Sequence, residues 1–172
     1  MAEASRMNSL LTETLIPSAS RTENCKTLQG MEMNTPDTHW QWRLNNFRKA
    51  LLQLDEAMEL MSRRPLSKLE RQGAFHVFEC SYELAWNTLK DFLVWQGIEG
   101  IVGSRDTIRE AFSAGLIADG QGWMRMLTDR GRTLHTCNEE TAEAILLDIR
   151  QQHHPLLEAL ERMLSSRTEP SA

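Results

Sequence analysis

From Trp40 to Leu164 the apolar residues of this chain recur at steps of three and four, and no stretch alternates apolar with polar. The first pattern is that of an α-helix with one face turned to a core; the second, that of a half-buried strand, is missing, as is any Asn-Gly hairpin turn. Several such stripes must be buried against one another. The pattern therefore predicts an all-α fold, an antiparallel helical bundle of three long and two short helices. At 172 residues the chain is one domain in length, and 41% hydrophobic residues with five tryptophans suffice for one core.

The helices can be placed in turn. Trp40, Leu44, Phe47, Leu51, Leu54, Met58 and Met61 share one face of a first helix, with Asp37 or Thr38 expected as its cap and Pro65 as its end. Ser67 and Glu70 form a capping box for a second, whose dense face runs from Phe75 through Phe78, Tyr82 and Trp86 to Leu93 and stops near Gly97. Ser104 is expected to cap a short third helix ending at Gly115. Asp119 is expected to cap a short fourth carrying Trp123, Met126 and Leu127, its first turn weakened by Gly120 and Gly122. Asn138, followed by Glu139 and Glu140 at the positive end of the helix dipole, is the expected cap of the last helix. Pro155 interrupts that helix, so a kink or a division is expected.

The bundle thus spans residues 38–165, with 166–172 a frayed tail. Residues 1–37 differ: rich in Ser, Thr, Asn and Glu, and broken by Pro17 and Pro36, they read as a flexible extension. Met31 and Met33 sit just before the periodic region, so an extension that is never translated stands beside a real one. Formal charge is −5, which disfavours a general binder of duplex DNA, whose affinity comes from Lys and Arg on phosphates. The three cysteines are odd in number and widely spaced, and no metal-ligand spacing or Gly-rich phosphate loop occurs. No metal, no cofactor, no membrane span and a cytoplasmic location are the resulting expectations.

One constellation carries chemistry: Asp129-Arg130-Gly131-Arg132-Thr133-Leu134-His135, read as a loop between two helices. Arginine offers a rigid fork of donors to phosphate, and histidine can exchange a proton near neutral pH. A nuclease that attacks with the ribose 2′-hydroxyl needs those two functions. The plainer reading leaves Arg130 and Arg132 solvated and His135 holding the loop. Glu79 and Glu83, one helical turn apart, repel by roughly 0.2–0.5 kcal/mol on an isolated helix, and Arg130 or Arg109 from a neighbouring helix is expected to offset this in a network lining the groove. His153 and His154 are adjacent and point too far apart to chelate one metal.

The block Phe78-Glu79-Cys80-Ser81-Tyr82-Glu83-Leu84-Ala85-Trp86-Asn87-Thr88-Leu89-Lys90, then Arg109-Glu110-Ala111-Phe112, Gly115-Leu116-Ile117, Trp123-Met124, Asp129-Arg130, His135-Thr136 and Asn138 to Ala142, resembles in order the nucleotidyltransferase substrate-binding family, which is HEPN-like. The resemblance covers about residues 40–165. It implies a helical bundle, usually a homodimer, working beside a separate minimal nucleotidyltransferase subunit that supplies the metal-binding carboxylates. It also implies a groove that binds a nucleotide or other phosphate-bearing group, with Arg130, His135, Glu79, Glu83 and Arg109 as the candidate binding residues. Related HEPN toxins cut RNA with an Arg-x4-6-His pair, which here is Arg130 and His135, and in some of them the partner adenylylates a tyrosine two residues after the histidine. This chain departs at Gly131, where a polar residue is typical, and at Cys137, where that tyrosine is typical. A binding subunit, a metal-independent endoribonuclease and a plain helical interaction protein are the three readings the residues leave open.

Overall fold

The computed structural model describes residues 36–133 and 139–168, all of them helix or short connection. Helix α1 is Pro36–Arg63 and α2 is Lys68–Trp95. The short α3, Gly103–Ser113, and α4, Gly120–Thr133, follow. The last stripe is α5, Glu139–Asp148, a π-helical turn over Ile149–His153, and α6, His154–Ser165. The predicted bundle is thus present, with its third long helix divided by the π turn. No described helix is long and apolar enough to cross a membrane.

Local chemistry accounts for most boundaries. At α2 the Ser67 Oγ accepts from the Glu70 N–H, and Glu70 Oε2 accepts from the Ser67 N–H at 2.8 Å. Arg64 grips the same carboxylate with both terminal nitrogens, at 2.6 and 2.9 Å, and these contacts hold Glu70 well below the usual carboxylate range. Gly97 takes the left-handed conformation, φ 88°, that lets the Ile98 N–H close on the Leu93 carbonyl at 3.0 Å. Asp119 Oδ1 accepts from the Gly122 N–H at 2.8 Å, as expected of the cap of α4.

Two expected caps are corrected. Helix α1, Pro36–Arg63, already contains Asp37 and Thr38, so neither stands ahead of it as a cap. Ser104 lies inside α3, because the left-handed Gly103, φ 79°, turns the chain straight into the helix and leaves Val102 as a cap without a side-chain bond. Asn138 lies outside the described residues.

The π turn relates to Pro155. A proline has no N–H for the carbonyl four residues back, and its ring collides with that carbonyl. Upstream of it the helix widens, and the His154 N–H bonds the Ile149 carbonyl five positions back. The chain runs on as helix with its face rephased. Leu157, Leu160 and Leu164 then join a core whose largest fully buried side chains include Trp40, Trp123, Tyr82, Phe47, Phe78 and Phe92.

Candidate functional site

The candidate site lies where α4 meets α2. Trp123, Met126, Arg130 and Thr133 follow at steps of three and four, so they share a face of α4. Trp123 and Met126 are buried in the core and seat the helix. One turn further on, Arg130 Nη2 reaches Glu83 Oε1 at 2.7 Å. The other Glu83 oxygen accepts from the Trp86 indole N–H at 2.9 Å. The Thr133 hydroxyl lies against both the Glu79 carboxylate and the Arg130 carbonyl, 2.7 Å from the latter. The repulsion expected between Glu79 and Glu83 is thus offset by Arg130 and Thr133. Arg130 also stands in the last turn of α4, where the helix dipole favours a cation.

Behind this cluster is a second contact. Asp129 Oδ2 lies 2.9 Å from His153 Nε2, and Asp129 Oδ1 accepts from Arg132 at 3.0 Å. The imidazole stacks on Phe78, with ring centroids 5.6 Å apart and planes 16° apart. Tyr82 is buried beside Trp123, and burial pushes its phenol up to about 12, a rise that Ser104 and Arg130 only partly oppose. The last turn of α4 is therefore held by α2 on one side and by the π turn on another. The Nε of Arg130 is buried without a hydrogen-bond partner, while its guanidinium tip bonds Glu83 and the side chain is 36% exposed.

The structure brings Arg130, Glu79 and Glu83 together and puts Arg130 on a helix rather than in the expected loop. His135 and Cys137 lie outside the described residues. Arg109 does not join the cluster: it sits on α3, 3.7 Å from Asp106, and lines a different groove. Thr133 and the Asp129–His153 pair escaped the sequence reading. The neighbouring His154 turns instead to Asp55, at 2.5 Å. Asp55, His154 and Glu158 are the one group among the described residues that places three ligand-type atoms within 4.8 Å of one another; none belongs to the Arg130 cluster.

The family model described as "nucleotidyltransferase substrate binding protein like" matches residues 42–166. The chain belongs to that family. A crystal structure of a Thermus thermophilus protein superposes on it with a TM-score of 0.60 at 31% identity, covering 72% of this chain and 99% of the other. A Haemophilus influenzae strain Rd protein named probable ribonuclease HepT is 36% identical over 81 residues, 45% of this chain and 56% of the relative. The chain thus matches little more than half the length of that family relative. The matched span of the substrate-binding family takes in the whole Arg130 cluster.

Proposed function

We propose that the chain is a cytoplasmic substrate-binding or regulatory subunit. It acts with a separate minimal nucleotidyltransferase and holds a nucleotide or other phosphate-bearing group against Arg130. The observation that carries this reading is the seating of Arg130: its fork is oriented by Glu83 and partly open to solvent, as a positioned phosphate donor requires. Membership of the nucleotidyltransferase substrate-binding family supports the same role. A homodimer, pairing the same face of two copies, is part of the proposal.

A second reading is supported by the relative named as a probable ribonuclease. In it the chain is a HEPN-type, metal-independent endoribonuclease toxin using Arg130 and His135, with the transferase as its antitoxin. Gly131 favours binding over cutting, since it offers no polar side chain beside Arg130.

One experiment separates the two. The purified chain is incubated with RNA in excess chelator, alongside Arg130→Ala and His135→Ala, and binding of the same RNA and of ATP is titrated. Binding without cleavage, weakened in both variants, supports the subunit. Cleavage by wild type, lost in both variants, supports the nuclease. Two variants that match wild type in binding, cleavage and co-purification with the transferase sink both readings.

A further inference from the structure

Helix α4 has a second face that lines a groove. Gln121, Met124 and Thr128 lie on the side of the helix that does not meet α2, and with α3 they enclose an open groove of about 660 Å³. That is the size range of small-molecule sites. We infer that this groove binds a nucleoside phosphate, with the base stacked on Phe112 and the phosphates held by Arg105 and Arg109.

Three observations converge on that chemistry. The first is charge. Arg105 and Arg109 are one turn apart on α3 and both line the groove, in a chain whose net charge is −5. Among the described residues Arg105 stands in no ion pair, and Arg109 has only Asp106, at 3.7 Å and on an exposed surface. The one carboxylate lining the groove, Asp119, is turned to cap α4 through Gly122. Two arginine forks are therefore available to an anion.

The second is the aromatic ring. Phe112 follows Arg105 and Arg109 on the same face of α3 and is 54% exposed. One side of it is packed: a Cβ placed on Gly120 would come within 3.1 Å of the ring. Gly120 thus leaves room for the ring against the start of α4, and the same ring lines the groove. Every base has a π-face, and stacking one on an aromatic side chain is worth about 1–3 kcal/mol.

The third is the rest of the lining. Ile108, buried, and Met124, partly buried, supply apolar surface, while Gln121 and Thr128 offer polar atoms. A largely apolar cleft with a few convergent polar and charged groups is how nucleotide-sized ligands are held.

The site is separate from the Arg130 cluster and stands whether or not that cluster binds. Its test is calorimetric titration of the full chain with ATP, in wild type and in Phe112→Leu, Arg105→Ala with Arg109→Ala, and Arg130→Ala. Leucine keeps Gly120 covered, so Phe112→Leu retains the fold, which an unchanged thermal midpoint checks. The expected result is a binding event that Phe112→Leu weakens at least about fivefold, the lower end for a lost stacking partner. The double arginine variant should weaken it further, and Arg130→Ala should still bind ATP in this groove although it loses any nucleotide held by the other cluster. Competition by a short oligoadenylate would identify the end of a strand, rather than a free nucleotide, as a source of the same chemistry. Absence of ATP binding overturns the inference. So does binding that only Arg130→Ala removes, which would place the nucleotide in the other groove. Tripolyphosphate binding as tightly as ATP would overturn the stacked base.

Discussion

Asp129 and His153 meet in the interior of the bundle, Oδ2 to Nε2 at 2.9 Å, with the imidazole 1% exposed. The contact joins the last turn of α4 to the π turn and lies one residue from Arg130. Its energetic role follows from burial. Asp129→Ala leaves the His153 ring with both nitrogens unpartnered, since Nδ1 already lacks a partner. The expected cost is about 1–3 kcal/mol, the desolvation of a stranded polar group. Arg132→Ala removes the outer bond of the same carboxylate, from a side chain 52% exposed, and that bond should contribute less than about 1 kcal/mol. Urea unfolding of both variants measures the difference; equal costs would show that the buried contact contributes nothing of its own.

Tyr82 is the only tyrosine in the chain, so its ionisation can be followed by absorbance without overlap. Burial disfavours the phenolate and pushes the group up to about 12. The unfolded value is about 10. The folded state therefore holds the proton more tightly, so stability from this group is intact below about pH 10 and is lost as pH rises through 12. Alkaline titration should show the phenolate band only near or above that range, together with unfolding, whereas the urea-unfolded chain should titrate normally. A native titration near pH 10 would mean that the phenol is wet. Its Oη also lacks a hydrogen bond of ordinary geometry, so Tyr82→Phe should leave stability unchanged or slightly raised.

The two glycines of α4 should respond oppositely to alanine. At Gly131 an added Cβ meets nothing within 4 Å, and the helix should gain about 0.5–1 kcal/mol. At Gly122 the same Cβ would lie 2.3 Å from Asp119 Oδ2 and 2.7 Å from Leu156 Cδ1. Either the cap or the packing of α6 must give, and a net loss of about 1–3 kcal/mol is expected despite the better propensity of alanine. Thermal melts of the two variants that shift in the same direction would contradict this.

Those glycines mark the border of what the sequence discloses. Spacings and caps are local, so the helices, the Ser67–Glu70 box, the Asp119 cap and the stop at Gly97 could be read directly. The pairing of Glu83 with Arg130 was also within reach, because two glutamates one turn apart need a cation from elsewhere. Gly120 and Gly122, by contrast, look like weaknesses in the sequence. Only the packing of Phe112 against Gly120 and of Asp119 and Leu156 against Gly122 shows how tightly a side chain would be received there. The partner of His153 was hidden for a related reason. The π turn shifts the phase of the helix by about one residue, and an ideal 3.6-residue period cannot foresee which of two adjacent histidines turns inward.

The residues ahead of Met33 should be dispensable for folding. Their apolar side chains sustain no long stripe, and ordering each residue costs roughly 1–2 kcal/mol. A chain beginning at Met33 is expected to keep the thermal midpoint of the full protein. A fall of about 10 °C, equivalent to more than ~2 kcal/mol at this size, would show that the segment packs on the bundle.

The last prediction tests what Glu83 does for Arg130. Their ion pair is about one-third exposed on each side, so it contributes at most about 1 kcal/mol to stability. Its larger effect is on charge. A phosphate approaching Arg130 meets a carboxylate already bonded to the same guanidinium, and at an effective dielectric near 20 like charges a few ångströms apart repel appreciably. Glu83→Gln removes that charge while keeping a side-chain oxygen for the Trp86 indole N–H, and its amide NH2, which cannot accept from Arg130, releases the guanidinium. If Glu83 competes with the ligand, the variant should bind an oligoribonucleotide several-fold more tightly than wild type, most clearly at low salt, with an unchanged thermal midpoint. Arg130→Ala should weaken the same binding. Should Glu83→Gln weaken it as much as Arg130→Ala does, Glu83 positions the guanidinium, and the ion pair belongs to the binding-competent state instead of opposing it.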